Sequence, residues 1–401
     1  MRIPLKHKSP REIYNVMRRS VVGQDEALKT VATAISAHIT RCIRNSITWY
    51  GKPIRKDNLL VVGPTGTGKT ESVRAAIREL NLPFPIAIAP TNTLSGSGYK
   101  GRNVEDVLWD LANDAKRLIS EGVDRYLEPG DYDIEEKPDG SKVRKLNAEN
   151  TKKLVLKLCE HGILILDEFD KIRFSSENEW EGVYKKNIQY ELLKIIEGAK
   201  GIGENAVTQE IDTTNILVIA MGAFTDLLNP PPEPVPIGFS AAGAVAPEPK
   251  RIDGIPTTEQ ICNFGFVEEL VGRLPLRCRY NALSVQNLYK ILKESEVSPV
   301  RDFEDLFYQT DNKLQISDSA MREIARQAHE INTGARGLRT VLGKILYPIL
   351  YDVDSIYKNH CIQINKDTVC GGKPVITRLK TSRDILREID ENVFGEKISQ
   401  S

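Results

Sequence analysis

Apolar positions along the chain fall into two rhythms: short solid runs, and longer stretches at helical spacing. Residues 12–19 and 23–45 carry the helical period, and in the second Ala27, Val31, Ala34, Ile35 and Ile39 share one face. Leu59-Leu60-Val61-Val62 is wholly apolar, the signature of a parallel strand covered on both faces. A glycine-rich turn follows, and Thr70–Leu80 resumes the helical period with Val73, Ile77 and Leu80 in line. Further short runs occur at Ile86–Ala89, Ile163–Leu166 and Ile216–Ala220, separated by helical patterns at 104–119, 151–159 and 188–197. Strands alternating with helices predict an α/β domain built on a parallel sheet.

The rhythm changes near Tyr280. Beyond it the sequence predicts mainly helices, at Ser284–Lys293, Ser317–Ile331 and Arg336–Leu350, the last broken at Pro348. Leu314–Ile316 and Cys361–Ile364 read as short strands. The expected layout is a large α/β domain over 1–280, a smaller mainly helical α+β domain over 281–381, and a charged tail over 382–401. Two segments interrupt the large domain. Residues 121–150 place acids before and bases after the turn residues Pro138-Asp139-Gly140-Ser141, which predicts a solvated hairpin. Residues 228–257 are rich in proline, glycine and alanine and read as a long exposed loop.

Charge and composition narrow the function classes. With 55 basic and 55 acidic residues the formal charge is zero, which disfavours a nucleic-acid coat or a membrane-surface protein. No stretch approaches the roughly 18 apolar residues of a membrane span. The N-terminus lacks the apolar core of a signal peptide. Six scattered cysteines include no C-x-x-C pair, so no structural zinc is expected and a reducing, cytoplasmic setting is.

Gly63-Pro64-Thr65-Gly66-Thr67-Gly68-Lys69-Thr70 matches G-x-x-x-x-G-K-[ST] in full. The glycines let backbone N–H groups curl around phosphates, and the helix that follows points its N-terminus at the same anion. Lys69 is expected to reach the β- and γ-phosphates of ATP, and Thr70 to ligate Mg²⁺. Gly162-Ile163-Leu164-Ile165-Leu166-Asp167-Glu168 ends an apolar strand in two carboxylates, at the strand end where open α/β sheets bind ligands. Asp167 would hold Mg²⁺, and Glu168 would polarise the attacking water.

These motifs carry a resemblance to the ClpX-type unfoldases of the AAA+ superfamily, the class that includes HslU, over roughly residues 10–375. Val22-Gly23-Gln24-Asp25-Glu26-Ala27 resembles the box that lines the family's adenine pocket, so Val22 joins the nucleotide-binding set, as does Glu71 after the P-loop. Asp167–Ile172 is similar to the extended Walker B motif, Ile188–Gly198 to the helix after it, and Gly222-Ala223-Phe224 to the sensor-1 strand end. Val271-Gly272-Arg273-Leu274-Pro275 resembles the arginine-finger box, and Gly334-Ala335-Arg336-Gly337-Leu338-Arg339 resembles sensor 2. The resemblance implies an AAA+ P-loop large domain followed by a small domain. It implies a homo-hexamer in which Arg273 completes a neighbour's site and Arg336 links domain angle to nucleotide.

Gly98-Tyr99-Lys100-Gly101 resembles the pore-1 loop, usually Gly-Tyr-Val-Gly, which implies that Tyr99 and Lys100 grip unfolded or tagged protein substrates. A second pore loop is expected within Arg173–Lys186, where Trp180 has no assigned role. Ile237-Gly238-Phe239 resembles the tripeptide that docks ClpX onto the ClpP peptidase. The family's zinc-binding adaptor domain is not expected, because the core begins almost at Met1. The 121–150 insertion lies roughly where HslU carries a larger domain. The leading reading is an ATP-driven unfoldase feeding a ClpP-like peptidase. A stand-alone remodeller of protein complexes, a nucleic-acid motor and a nucleotide-gated scaffold stay open beside it.

Overall fold

A computed structural model describes residues 3–4, 6–46, 54–95, 102–127, 132–136, 142–145, 147–175, 179–200, 210–230, 251–356 and 358–379. Two compact units account for the chain, Met1–Ala282 and Leu283–Ser401.

The first unit opens with helices α1 (Pro10–Ser20) and α2 (Asp25–Ser46). Ser9 caps α1 in a reciprocal capping box with Glu12, and Pro10 occupies the first turn, where its missing N–H costs nothing. Strand β1 (Leu59–Val62) runs through the phosphate-binding loop into α3 (Lys69–Leu80). Next come β2 (Ile86–Pro90), the short pair β3 (Leu94–Ser95) and β4 (Arg102–Asn103), and α4 (Asp106–Gly122). The insertion contributes β5 (Asp133–Glu136) and β6 (Lys142–Lys145), paired antiparallel with Asp133 opposite Lys145 and Glu136 opposite Lys142. The rest of the unit is α5 (Ala148–Cys159), β7 (Ile163–Asp167), α6 (Glu179–Glu197), β8 (Leu217–Gly222), α7 (Thr225–Leu228), α8 (Thr258–Asn263), α9 (Glu268–Gly272) and β9 (Leu276–Arg279).

The five strands of the main sheet lie in the order β2-β7-β8-β1-β9, all parallel. Alternation along the strands explains why their sequences are solidly apolar. Leu60, Val62, Leu164, Leu166, Val218 and Ala220 point into one core, against Leu108 and Leu111 of α4, Leu158 of α5 and Leu192 and Ile195 of α6. Leu59, Val61, Ile163, Ile165, Ile219 and Met221 point into the other, against Met17 of α1, Val31 and Ile35 of α2 and Val73 of α3.

The second unit contains α10 (Val285–Glu294), α11 (Pro299–Gln309), β10 (Lys313–Ile316), α12 (Asp318–Glu330), α13 (Ala335–Ile356), β11 (His360–Ile364), α14 (Lys366–Val369) and β12 (Val375–Arg378). Its strands form a three-stranded sheet, with β10 and β11 parallel and β12 antiparallel to β11.

Two expectations change. Pro348 does not break α13, which continues to Ile356. Proline removes one helical N–H, but buried Leu342 and Leu346 before it and Val353 after it hold both halves against the unit's core. Helix α6 begins at Glu179, so much of the stretch expected to form a second pore loop is helical, and Trp180 stands on its first turn, 84% exposed.

Candidate nucleotide-binding site

The site is built at the C-terminal ends of β1, β7 and β8. Beyond Val62 the chain passes through Gly63, whose φ of 148° is closed to ordinary side chains. A Cβ there would lie 2.3 Å from the carbonyl oxygen of Tyr280, so only glycine lets the loop run this close to β9. The Gly63 amide donates to the Gly222 carbonyl at 3.2 Å, and Tyr280 N–H donates to the Val62 carbonyl at 2.8 Å. Gly66 and Gly68 also take positive φ, 70° and 96°. At Gly68 a Cβ would strike Val21 at 2.8 Å, which seats the loop against the segment after α1.

Pro64, Thr65, Gly66 and Thr67 form the arch of the loop, and Thr67 closes it by donating to the Pro64 carbonyl at 2.8 Å. The buried ammonium of Lys69 donates to the carbonyls of Gly63 and Pro64, at 2.6 and 2.8 Å, beneath that arch. Helix α3 begins at Lys69 with no side-chain cap. Its first-turn N–H groups therefore face the loop, where an anion completes them and meets the favourable end of the helix dipole. Both features fit a phosphate: a loop whose glycines at positive φ turn it tightly against Tyr280 and Val21, and an uncapped helix N-terminus beside a lysine.

Thr70 and Asp167 meet directly, the threonine hydroxyl donating to Asp167 Oδ2 at 3.0 Å. Two hard oxygens in contact match Mg²⁺, which takes one or two protein oxygens and draws its other ligands from water and phosphate. Glu168 follows at φ 55°, a left-handed conformation that is strained for a glutamate. Its amide donates to Asp167 Oδ1 at 2.9 Å, and its carbonyl accepts the Thr91 hydroxyl at 2.8 Å. Behind it, buried Phe169 stacks on Phe266 at 5.3 Å, and Phe224 packs against Phe266 at 5.8 Å. The aromatic cluster holds the turn while the Glu168 carboxylate faces solvent.

Asp170 was not singled out from the sequence. Its buried carboxylate accepts the Ala223 amide at 2.9 Å and tethers the Walker B turn to the end of β8. Tyr280 was likewise missed: its hydroxyl donates to Ser72 of α3 at 2.8 Å, and burial pushes the phenol's pKa well up. Gln24 pairs reciprocally with Asn281, at 2.8 and 2.9 Å, joining the box before the P-loop to the end of β9. All of these are single polar residues beside known motifs, a signal visible only once their partners are in place.

A family model described as "AAA domain (Cdc48 subfamily)" matches residues 55–277. The ATP-dependent Clp protease ATP-binding subunit ClpX of Treponema denticola is 31% identical over 394 residues, spanning 92% of this chain and 84% of its own. This chain belongs to the ClpX family of AAA+ ATPases. ClpX of Borrelia duttonii is 30% identical over 374 residues, 90% of this chain and 78% of its own length. ClpX 2 of Wolinella succinogenes is 28% identical, covering 92% and 83% of the two chains. Membership makes the chain an ATP-binding, ATP-hydrolysing protein.

The remaining residues named from the ClpX resemblance are dispersed. Val22 is half-buried after α1, and Glu71 lies in the first turn of α3 with Arg78 at 3.7 Å. Arg273 sits exposed at the junction of α9 and β9, paired with Glu197 at 2.7 Å. Arg336 is exposed on the first turn of α13 in the second unit. Tyr99, Lys100, Ile237, Gly238 and Phe239 lie outside the described residues. Among the described residues, no helix is long and apolar enough to cross a membrane.

Proposed function

We propose that this ClpX-family chain is an ATP-driven protein unfoldase that works as a homo-hexameric ring and passes its substrates to a ClpP-like peptidase. One observation carries the ring. The nucleotide loop leaves β1 at Val62, whereas Arg273 lies three residues ahead of β9, whose Leu276 pairs in parallel with Leu59 at the other end of β1. A strand of four residues spans about 13 Å. Arg273 therefore stands at the end of the sheet away from its own phosphates, and serves the phosphates of another copy.

Within the site, the roles follow from placement. The backbone amides of Gly63–Thr70 and the ammonium of Lys69 bind the triphosphate, with Val22 and Glu71 on its flanks. Thr70 and Asp167 would hold Mg²⁺, which when bound neutralises charge on the phosphates. Glu168, held by Thr91 and Asp167, aligns the attacking water and accepts its proton. Arg273 of the adjoining copy stabilises the charge that develops on the transferred group. Arg336 reads the nucleotide from the second unit. Tyr99 and Lys100 grip the polypeptide, and Ile237-Gly238-Phe239 docks the peptidase.

Relatives named as ATP-binding subunits of a Clp protease, aligned over about nine-tenths of this chain, support the partnership. The test is ATP-dependent degradation of a folded fluorescent reporter, with and without a ClpP-type peptidase. The wild type unfolds the reporter and degrades it only with peptidase. Tyr99→Ala keeps ATP turnover but loses unfolding, and Phe239→Ala keeps unfolding but loses degradation. A wild-type ring that hydrolyses ATP yet never unfolds the reporter refutes the proposal.

A further inference from the structure

Arg273 is unusually well built for an exposed residue. Its neighbours Leu270, Val271 and Leu274 are all buried, and its amide donates to the Leu270 carbonyl at 3.1 Å. Its own carbonyl accepts from Asn58 Nδ2 at 3.1 Å. Asn58 is 3% exposed and sits one residue before β1. The same amide nitrogen also donates to the Ile196 carbonyl at 3.3 Å, while Asn58 Oδ1 accepts the Val218 amide at 3.1 Å and the Asn58 carbonyl accepts Leu276 N–H at 3.3 Å. One buried side chain thus joins the end of α6, the start of β8 and the backbone of Arg273.

The guanidinium is held as deliberately as the backbone. Nε and Nη2 of Arg273 both reach Oε1 of Glu197, at 2.9 and 2.7 Å. Glu197 is the last residue of α6, and Gly198 after it turns left-handed at φ 102°. A carboxylate at a helix C-terminus is disfavoured by the helix dipole, so this position favours a basic partner. A guanidinium carries five N–H donors in a fixed plane. Gripping the Nε edge leaves the Nη1 donors and one Nη2 hydrogen directed away from Glu197.

We infer that Glu197 and Asn58 are positioning residues for the arginine finger. Asn58 fixes the backbone of Arg273, and Glu197 fixes the plane of its guanidinium so that the free edge is presented to the neighbouring copy's phosphates. The inference rests on the reading of Arg273 as a residue acting in trans. Because Asn58 immediately precedes the strand that leads into the phosphate loop, each copy aims its finger with the element that holds its own nucleotide.

The test is steady-state ATP hydrolysis by the full chain, with assembly followed by sedimentation. Glu197 is partly exposed and packs in no core, so Glu197→Gln leaves the fold intact. It is expected to lower kcat about five- to tenfold with KM for ATP unchanged, the pattern of an interaction made only in the transition state. Asn58→Asp, which keeps the acceptor but loses both donors, should do the same. In an Arg273→Ala background Glu197→Gln should change the residual turnover by less than twofold. If Arg273→Ala abolishes turnover while Glu197→Gln matches the wild type, the positioning role is overturned and the finger stands. If Arg273→Ala itself turns over normally, the trans reading falls and this inference falls with it. A loss in Glu197→Gln that merely tracks loss of assembly, or that persists undiminished without Arg273, also overturns it.

Discussion

Replacing Gly63 with alanine isolates what the phosphate loop demands of its backbone. The added methyl would sit 2.3 Å from the Tyr280 carbonyl oxygen and 2.8 Å from the Tyr280 Cβ, where real Cβ atoms essentially never come within 3.0 Å. No rotamer relieves the clash, because the nearest atom is backbone. Tyr280 is pinned by its own amide to Val62 and by its hydroxyl to Ser72, both at 2.8 Å. A glycine-only φ costs an alanine about 1–3 kcal/mol. Overpacking a tight site costs about the same again. The sum, about 4 kcal/mol, is a large share of a domain's stability of roughly 5–15 kcal/mol. The cheaper escape is for the loop to lift away from β9, which spreads the amides that cradle phosphate. Gly63→Ala should therefore weaken ATP binding about a hundredfold or more, equivalent to about 2.7 kcal/mol. It should also lower the urea midpoint. Gly122→Ala, at the end of α4 with nothing within 4 Å of the new methyl, is the control and should be neutral or slightly stabilising. Fluorescent-nucleotide titration and urea denaturation measure both. A Gly63→Ala protein that binds ATP and unfolds like the wild type would refute the close-approach argument.

Three further outcomes follow from single residues. Glu168→Gln should bind ATP normally while kcat falls about 10²- to 10⁴-fold, as expected for loss of a positioned base; unchanged turnover would remove Glu168 from the mechanism. Tyr280→Phe deletes a buried hydrogen bond to Ser72 and should cost about 1 kcal/mol in urea unfolding, with ATP affinity affected only slightly. Lys56 donates to the Thr213 carbonyl at 2.8 Å, and burial of its amine, with Arg41 nearby, lowers its pKa from 10.5 to about 7. The unfolded chain then binds more protons between those values, so stability rises with pH across that window and is lost as pH falls toward 7, by at most about 1.4 kcal/mol per unit. Lys56→Met should flatten that slope in thermal melts recorded from pH 7 to 10, and an unaltered slope would mean that the amine is solvated.

How much of this could be read from the sequence depended on how many physical demands fell on consecutive residues. Leu59–Val62 and Ile163–Leu166 are buried on both faces, so every position must be apolar and the run announces the strand. The phosphate loop was legible because three glycines and a lysine each answer a separate geometric need within eight residues. Edge strand β9, Leu-Arg-Cys-Arg, buries only Cys278 and shows no apolar run, so it passed unnoticed although it carries Tyr280 at its end. The start of α6 was missed for a related reason: Trp180 and Val183 are exposed, so its first turns show no buried face.

Asn58 marks the limit of such reading. Its partners Ile196, Val218 and Arg273 lie 138, 160 and 215 positions away, and a lone asparagine before a strand carries no local pattern. A motif is visible when its chemistry is contiguous, as where a loop wraps an anion. A positioning residue is visible only when distant segments have been folded onto it. The parallel sheet creates both situations at once. Its C-terminal strand ends gather the loop, Asp167 and Glu168, whose sequence neighbours are also their spatial neighbours. Its N-terminal ends bring together the start of β1, the end of α6 and the approach to β9. β1 is short and buried throughout, so on the proposal that Arg273 acts in trans, the strand that leads into one phosphate loop also holds, through Asn58, the residue aimed at the next.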